Sequence, residues 1–448
     1  MSLIVRVFGA ELRRRRQEAG LSLSELATLV QYSKSHLSKV ERGKRPSLQL
    51  ARACDRALDA QGALESLVSA EGTNAWPPAS AADGWIAPWT LHLSVDRGND
   101  FLSFRPKALT DPTDRAAMMT WRLPEICGKE GSYSFALPNF RDLYDECRAM
   151  GQSLGPSIVT PILVTATHAL RTIATSSHPT DRITALRLAA RFAEYAGWMS
   201  QEGGDDSAAM WWTGQAVELA AVGEDHDLVA YSLIRRAELA LYAGDSCSTI
   251  ELAQCATQRS GNPRVLGLAA QREAQGYALQ GRDAACRSAL DRAASLMSTA
   301  AADGPAESDG SPVLGSLHMS DPTGFVSGWC LLDLGRSREA VKTLDAGLDS
   351  VPETARRARA RHGARLALAL ADCGELEHAC AVTELVTASL PLVDSATIRS
   401  ELRRLNHALR RWHRDPRVRS AAADIAAVLL TEGQRPYGGP AVRRRTLL

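Results

Sequence analysis

The chain opens with a run of short amphipathic patterns. In "FGAELRRRRQEAGLS", Phe8, Leu12 and Ala19 fall on one helical stripe, with the four arginines mostly outside it and Gly20 placed to end the helix. "SLSELATLV" follows, with Ser22 and Glu25 at the spacing of a capping box and Leu23, Leu26, Ala27 and Val30 on the apolar side. Ser33 is positioned to cap a third helix in which Leu37 and Val40 point inward and Lys34, Ser35 and Lys39 point outward. Gly43 stops that helix, and "KRPS" leads into a fourth with Leu48, Ala51, Cys54 and Leu58 inside. "DAQGALESLVSA" can form a fifth.

The pattern then changes twice. "EGTNAWPPASAADGWIAPW" gathers Pro, Gly, Ala and Ser as a domain boundary would. Beyond it, "WTLHLSV", "DFLSFRP" and "YSFAL" carry strand character without a spacing that fixes their pairing, and Trp76, Trp85, Trp89 and Trp121 suggest packing on another surface. From about residue 140 helical periodicity runs almost to the end, and it repeats. "EGGDDSAA", "YAGDSCST", "LQGRDAAC", "DLGRSREA" and "DCGELEHA" place a turn glycine at 204, 244, 281, 335 and 374. Each glycine sits between two amphipathic helices, so the unit is a helical hairpin. The longest interval, between Gly281 and Gly335, holds "AADGPAESDGSPVLGS", an inserted loop. The predicted fold is all-α: a small bundle over 1–70, a connecting segment over 71–138, a solenoid of helical hairpins over 139–432, and a basic tail over 433–448.

Charge sharpens this division. Residues 1–70 carry 12 basic and 7 acidic side chains, residues 71–398 carry 28 and 40, and residues 399–448 carry 12 and 4. The two ends, not the middle, are suited to polyanions. Nine scattered cysteines without a CxxC pair point to reduced, mostly buried thiols and a cytoplasmic protein. No signal peptide or run of about 18 apolar residues is present, so no membrane partner is expected. Walker, GxSxG, HExxH and strand-to-helix GxGxxG motifs are missing, and His407 and His413 are poorly spaced for a metal. We expect no enzyme, no catalytic residue, no cofactor and no metal.

The first four helices, with the third polar and basic outward, form a helix-turn-helix arrangement. Three stretches carry a resemblance: "RQEAGLSLSELA", "SKSHLSKVERG" and the trailing "KRPS". Over about 55 residues they resemble the DNA-binding domain of the Cro and phage-repressor family, also called the xenobiotic-response-element class. Gln31-Tyr32 stands where that family usually has Gly-Val in the turn. On this basis Lys34, Ser35 and Lys39 are candidates for base edges. Ser22, at the start of the second helix, with His36, Arg42, Lys44 and Arg45, is a candidate for phosphate, while Glu41 fixes the fold.

The hairpins resemble tetratricopeptide repeats. The best match spans 321–352, with Gly328 before the turn, Ala340 after it and Pro352 ending the second helix; Ala379 and Pro391 recur in the next unit. Counting from each turn glycine, the resemblance puts Arg191, Glu194, Trp198 and Gln201 on an inner wall. It adds Tyr231, Ile234, Glu238 and Tyr242, then Gln271 and Gln275, then Phe325 and Trp329, and finally Arg361. Trp211 and Trp212 are expected to pack between repeats. Aromatics with a few convergent polar groups suit a small molecule or a short peptide. The expected function is a homodimeric transcription regulator on double-stranded DNA with a two-fold symmetric operator, its repeats sensing an effector. The alternative is a repeat scaffold localised by its DNA-binding head.

Overall fold

The structure, a computed structural model, describes residues 12–13, 15–16, 19, 21–30, 34–41, 50, 54–55, 57–58, 89–94, 98–103, 134–175, 177–302, 311–316 and 322–430. The chain divides into two compact units, Met1–Ala82 and Asp83–Leu448.

In the first unit, helix α1 (Leu23–Val30) is followed by helix α2 (Lys34–Glu41). The capping box forms: Ser22 N donates to Glu25 Oε2 at 2.7 Å, and Glu25 N donates to Ser22 Oγ at 3.2 Å. Two of the four donors that a helix start leaves orphaned are thereby satisfied. Leu12, Leu26, Ala27, Val30, Leu37, Val40, Leu50 and Cys54 make the core. Ala19, expected on the apolar stripe, is exposed in a turn instead. Phe8, Leu48, Ala51 and the expected fifth helix lie outside the described residues.

The second unit begins with an antiparallel hairpin of strands β1 (Trp89–Ser94) and β2 (Gly98–Ser103), pairing Trp89 with Ser103 and Ser94 with Gly98. The strand-like stretches "WTLHLSV" and "DFLSFRP" thus pair with each other, the one exception to helix among the described residues. Helices α3 (Leu137–Ser153), α4 (Pro156–Thr175), α5 (Pro179–Glu202) and α6 (Asp206–Val222) follow. Then come α7 (His226–Tyr242), α8 (Ser246–Thr257), α9 (Pro263–Leu279) and α10 (Asp283–Ala302). The last six are α11 (Pro322–Asp333), α12 (Ser337–Leu348), α13 (Arg356–Cys373), α14 (Leu376–Val393), α15 (Ala396–Leu409) and α16 (Pro416–Leu430). Consecutive helices pair as hairpins, so one pair precedes the five read from the sequence and another follows them.

All five turn glycines adopt left-handed backbone, with φ between 70° and 83°. That conformation costs a side-chain-bearing residue about 1–2 kcal/mol. At two of these turns an aspartate then caps the next helix, Asp205 accepting from Ala208 N and Asp245 from Ser248 N, and between hairpins Asp225 caps α7 by accepting from Leu228 N. Pro391, expected to end its helix, lies inside the last turn of α14.

Two large apolar clusters form the core of this unit, one from α3 to α9 and one from α11 to α16. Between them sits a small cluster of Ala274, Ala278, Cys286, Ala289 and Cys330. The eight described cysteines are free thiols, four of them buried, so burial is less general than composition implied.

The array closes on itself. Arg357 of α13 donates from Nε to Gly151 O at 2.7 Å, from Nη2 to Leu154 O at 2.7 Å, and also to Val393 O. Its Nη1 meets Glu202 Oε2 at 2.7 Å. The same buried carboxylate accepts from Ser395 Oγ and, at 2.9 Å, from Thr397 Oγ1. First and last hairpins are therefore joined through one saturated ion pair.

Candidate functional site

In the first unit, α2 buries Leu37 and Val40 and leaves Lys34 and Lys39 exposed on its other side. Glu41, at its C-terminal end, is gripped by Arg16: Nε to Oε1 at 2.7 Å and Nη2 to Oε2 at 3.1 Å. Arg16 also donates to Leu21 O at 2.8 Å, so this bidentate pair ties the preceding segment to both helices. Glu41 fixes the fold, and Arg16 is its partner, which periodicity alone had set among the outward arginines. Ser22 is engaged in its capping box but exposed. The side chains of Ser35 and His36, and residues Arg42, Lys44 and Arg45, lie outside what the structure describes.

In the second unit, closure turns the concave side into a cavity of about 170 Å³. Its walls come almost entirely from the first helix of each hairpin, α3, α5, α7, α9, α11 and α13. Of the inner-wall residues read from the sequence, Glu194, Trp198, Tyr231, Ile234, Glu238, Gln271, Gln275, Phe325, Trp329 and Arg361 line it. Arg191, Gln201 and Tyr242 do not, and each is occupied behind the wall. Arg191 donates to Pro312 O at 2.9 Å and pairs with Asp225 at 3.1 Å. Gln201 Oε1 accepts from Arg235 at 2.8 Å, and Tyr242 packs edge-on against Trp329 with centroids 5.7 Å apart. Counting from the turn found the helix face but not its depth, because neighbouring first helices overlap there.

Trp329 has a double role. It lines the cavity, yet its Nε1 donates to Asp333 Oδ2 at 2.7 Å and the Arg365 guanidinium lies 3.0 Å from its ring centroid. Trp198 is half-buried and stacks on Tyr195 at 5.2 Å. Trp212 is fully buried, whereas Trp211, expected beside it in the core, is half-buried.

Sequence reasoning missed the arginines. Arg148, Arg235, Arg272 and Arg357 join Arg361 on the cavity wall, opposite only Glu194 and Glu238. Burial alone would raise the Glu238 carboxyl, but Arg272, Arg235 and Arg361 together hold it well below the usual carboxylate range. Burial raises Glu194, with Arg235 foremost among the arginines that oppose it. His362 stacks on Phe325 at 3.7 Å, and burial beside Arg361 and Arg365 keeps its imidazole far below its ordinary value, hence neutral.

The inserted loop also reaches the site. Five consecutive carbonyls, of residues 312 to 316, accept hydrogen bonds from arginines on three helices. Arg191 takes Pro312, Arg148 takes Val313 at 3.1 Å and Gly315, and Arg264 takes Leu314 at 2.6 Å and Ser316 at 2.8 Å. Gly315 has φ +77°, and a Cβ there would sit 2.9 Å from Leu268 Cδ1, so any other residue would meet backbone strain and push on Leu268. A long insertion with Gly and Pro reads as a solvent loop; nothing in its composition marks it as part of a wall.

Residues 7–67 match the protein-family model described as a helix-turn-helix domain. This chain carries a helix-turn-helix domain. The match supports double-stranded DNA as a partner and a DNA-binding regulator as the class of protein. No curated protein matches the chain. Among the described residues no three His, Cys, Asp or Glu side chains converge as a metal site would need.

Proposed function

We propose that the chain is a ligand-responsive transcription regulator, with a Cro/phage-repressor-type domain that reads an operator and tetratricopeptide-like repeats that sense an effector and pair two copies. The cavity carries this reading. A wall contributed by successive repeats joins their relative positions to a single ligand, which is what a sensor needs. Lys34, Ser35 and Lys39 are assigned to base edges, and Ser22, His36, Arg42, Lys44 and Arg45 to phosphate. One such domain reads few base pairs, so two copies on a two-fold symmetric operator are required for useful specificity. Binding is the whole of its activity in this reading; it catalyses nothing and works in the cytoplasm.

The experiment has two stages. Genomic fragments retained by the purified chain define the operator, and compounds that raise its melting temperature are then titrated into operator binding. A ligand-responsive regulator changes operator affinity by about 5- to 150-fold on ligand binding. Unchanged affinity with every bound compound would instead favour a repeat scaffold localised to DNA. Within this assay, Lys34→Ala or Lys39→Ala should cost about 1–3 kcal/mol on the operator and little on random DNA. Equal losses on both would remove the base-edge assignment.

A further inference from the structure

The cavity holds more positive charge than its own residues neutralise. Arg357 is paired with Glu202 and saturated by three carbonyls. The other four arginines share Glu194 and Glu238. Arg235 bonds Glu238 and Gln201 and lies 3.3 Å from Glu194, while Arg361 Nη2 meets Glu238 at 2.9 Å. Arg272 is 3.5 Å from Glu238 and turns Nη1 to Gln275 Oε1. Arg148 spends its fork on the neutral carbonyls of the strap. Four guanidinium groups thus face two carboxylates in a site largely removed from water. An unneutralised buried cation is expensive unless something of opposite charge joins it.

Hydrogen bonding points the same way. Glu238 already accepts from Arg235 and Arg361 and has little acceptor capacity left, while Glu194 meets Arg235 Nε as an ion pair at 3.3 Å. Unpartnered donors outnumber unpartnered acceptors on the wall: Arg235 Nε, Arg272 Nε and Gln275 Nε2 are buried without a hydrogen-bond partner among the described residues, against the acceptor Gln152 Oε1 and the ring nitrogen His362 Nδ1. Gln275 is wholly buried and lines the cavity. A buried donor without an acceptor costs about 1–3 kcal/mol. The remaining wall is aromatic, with Tyr195, Trp198, Tyr231, Phe325 and Trp329 offering flat apolar surface.

We propose that the cavity binds a compact organic acid, its carboxylate seated by Arg272, Arg361 and Gln275 and its apolar body laid against the aromatic wall. A planar carboxylate matches a guanidinium fork and an amide donor better than a neutral or cationic group can. The inference rests on the sensor reading of the repeats and names the chemical class that the sensor takes.

The test uses the full chain without DNA and a panel of small aromatic and aliphatic acids, each with its matched primary amide and amine. A second set holds capped tripeptides with free or amidated C-termini. Melting shifts identify binders, and calorimetry gives affinities. Acids should dominate the hits, each binding at least about tenfold more tightly than its amide, with the amines silent. Arg272→Gln should weaken acid binding at least about tenfold and so remove that preference. Gln275→Glu supplies a carboxylate from the protein itself, so it should raise the melting temperature of the free chain and abolish acid binding. Hits led by amides, by amines or by amidated peptides would overturn the proposal, as would a panel with no acid among its binders. A free-carboxylate tripeptide that binds while its amide does not supports the same chemistry from a peptide source. Acids that bind without changing operator affinity would leave this inference standing and remove the sensor reading. A neutral or cationic binder that shifts operator affinity would do the reverse.

Discussion

Tryptophans at similar repeat positions differ in what their loss would do. Trp212 is fully buried and is not among the residues lining the cavity, so Trp212→Ala should cost about 3–5 kcal/mol in urea denaturation. Trp198 is half-buried on the cavity wall, and Trp198→Ala should cost clearly less. Trp329 will behave more like Trp212 than its shared position with Trp198 suggests, because Asp333 and Arg365 both rely on it. His362 makes stability depend on pH. Its folded value lies below the unfolded one of about 6.5, so between the two the unfolded chain binds a proton that the folded chain refuses. The stability is fully present above pH of about 6.5 and is lost as pH falls beneath it. Relative to His362→Phe, the native chain should lose up to about 1.4 kcal/mol per pH unit below that point. Equal losses in both proteins would show that His362 titrates normally.

Among the elements, glycine serves two separate needs, and substitution distinguishes them. Gly281 has φ +70°, and a Cβ added there would meet nothing within 4 Å, so Gly281→Ala encounters only backbone strain, about 1–2 kcal/mol. Gly328 is in ordinary helix, but a Cβ there would lie 2.6 Å from Leu344 of the facing helix. Gly328→Ala should therefore force α11 and α12 apart, at about 1–3 kcal/mol. Melting curves of both variants check the pair, and the Gly328 loss should be partly recovered by Leu344→Ala. These hairpins were legible in the sequence because each element announces itself locally: a turn glycine, a capping aspartate, an apolar stripe. The arginine-held strap was not, since it depends on Arg148, Arg191 and Arg264 meeting carbonyls 50 to 167 positions away along the chain. For the same reason the helix-turn-helix pattern and its capping box could be read directly, while the Arg16–Glu41 pair across 25 positions could not.

For the repeat unit as a whole, the Arg357–Glu202 pair decides whether the array behaves as a row or as a ring. In an open row each repeat answers only to its neighbours, and ends can melt alone. Arg357→Ala would strand the Glu202 carboxylate in the core, at about 3–5 kcal/mol, and release the closing contact as well. Urea unfolding followed by circular dichroism should then broaden or split, with a smaller slope than the native transition. A single sharp transition merely moved to lower urea would mean that the ring contributes stability but no cooperativity. Closure also has a temporal consequence. Chains emerge from the ribosome N-terminus first, and their early domains fold as they appear. A nascent chain that ends before Arg356 already carries α3 to α12 yet has neither the arginine that bolts them shut nor Arg361 and His362 of the cavity wall. The cavity is therefore complete only once Arg357, Arg361 and His362 have been made, so nothing that fits the finished cavity can assist the folding of the earlier helices that line it.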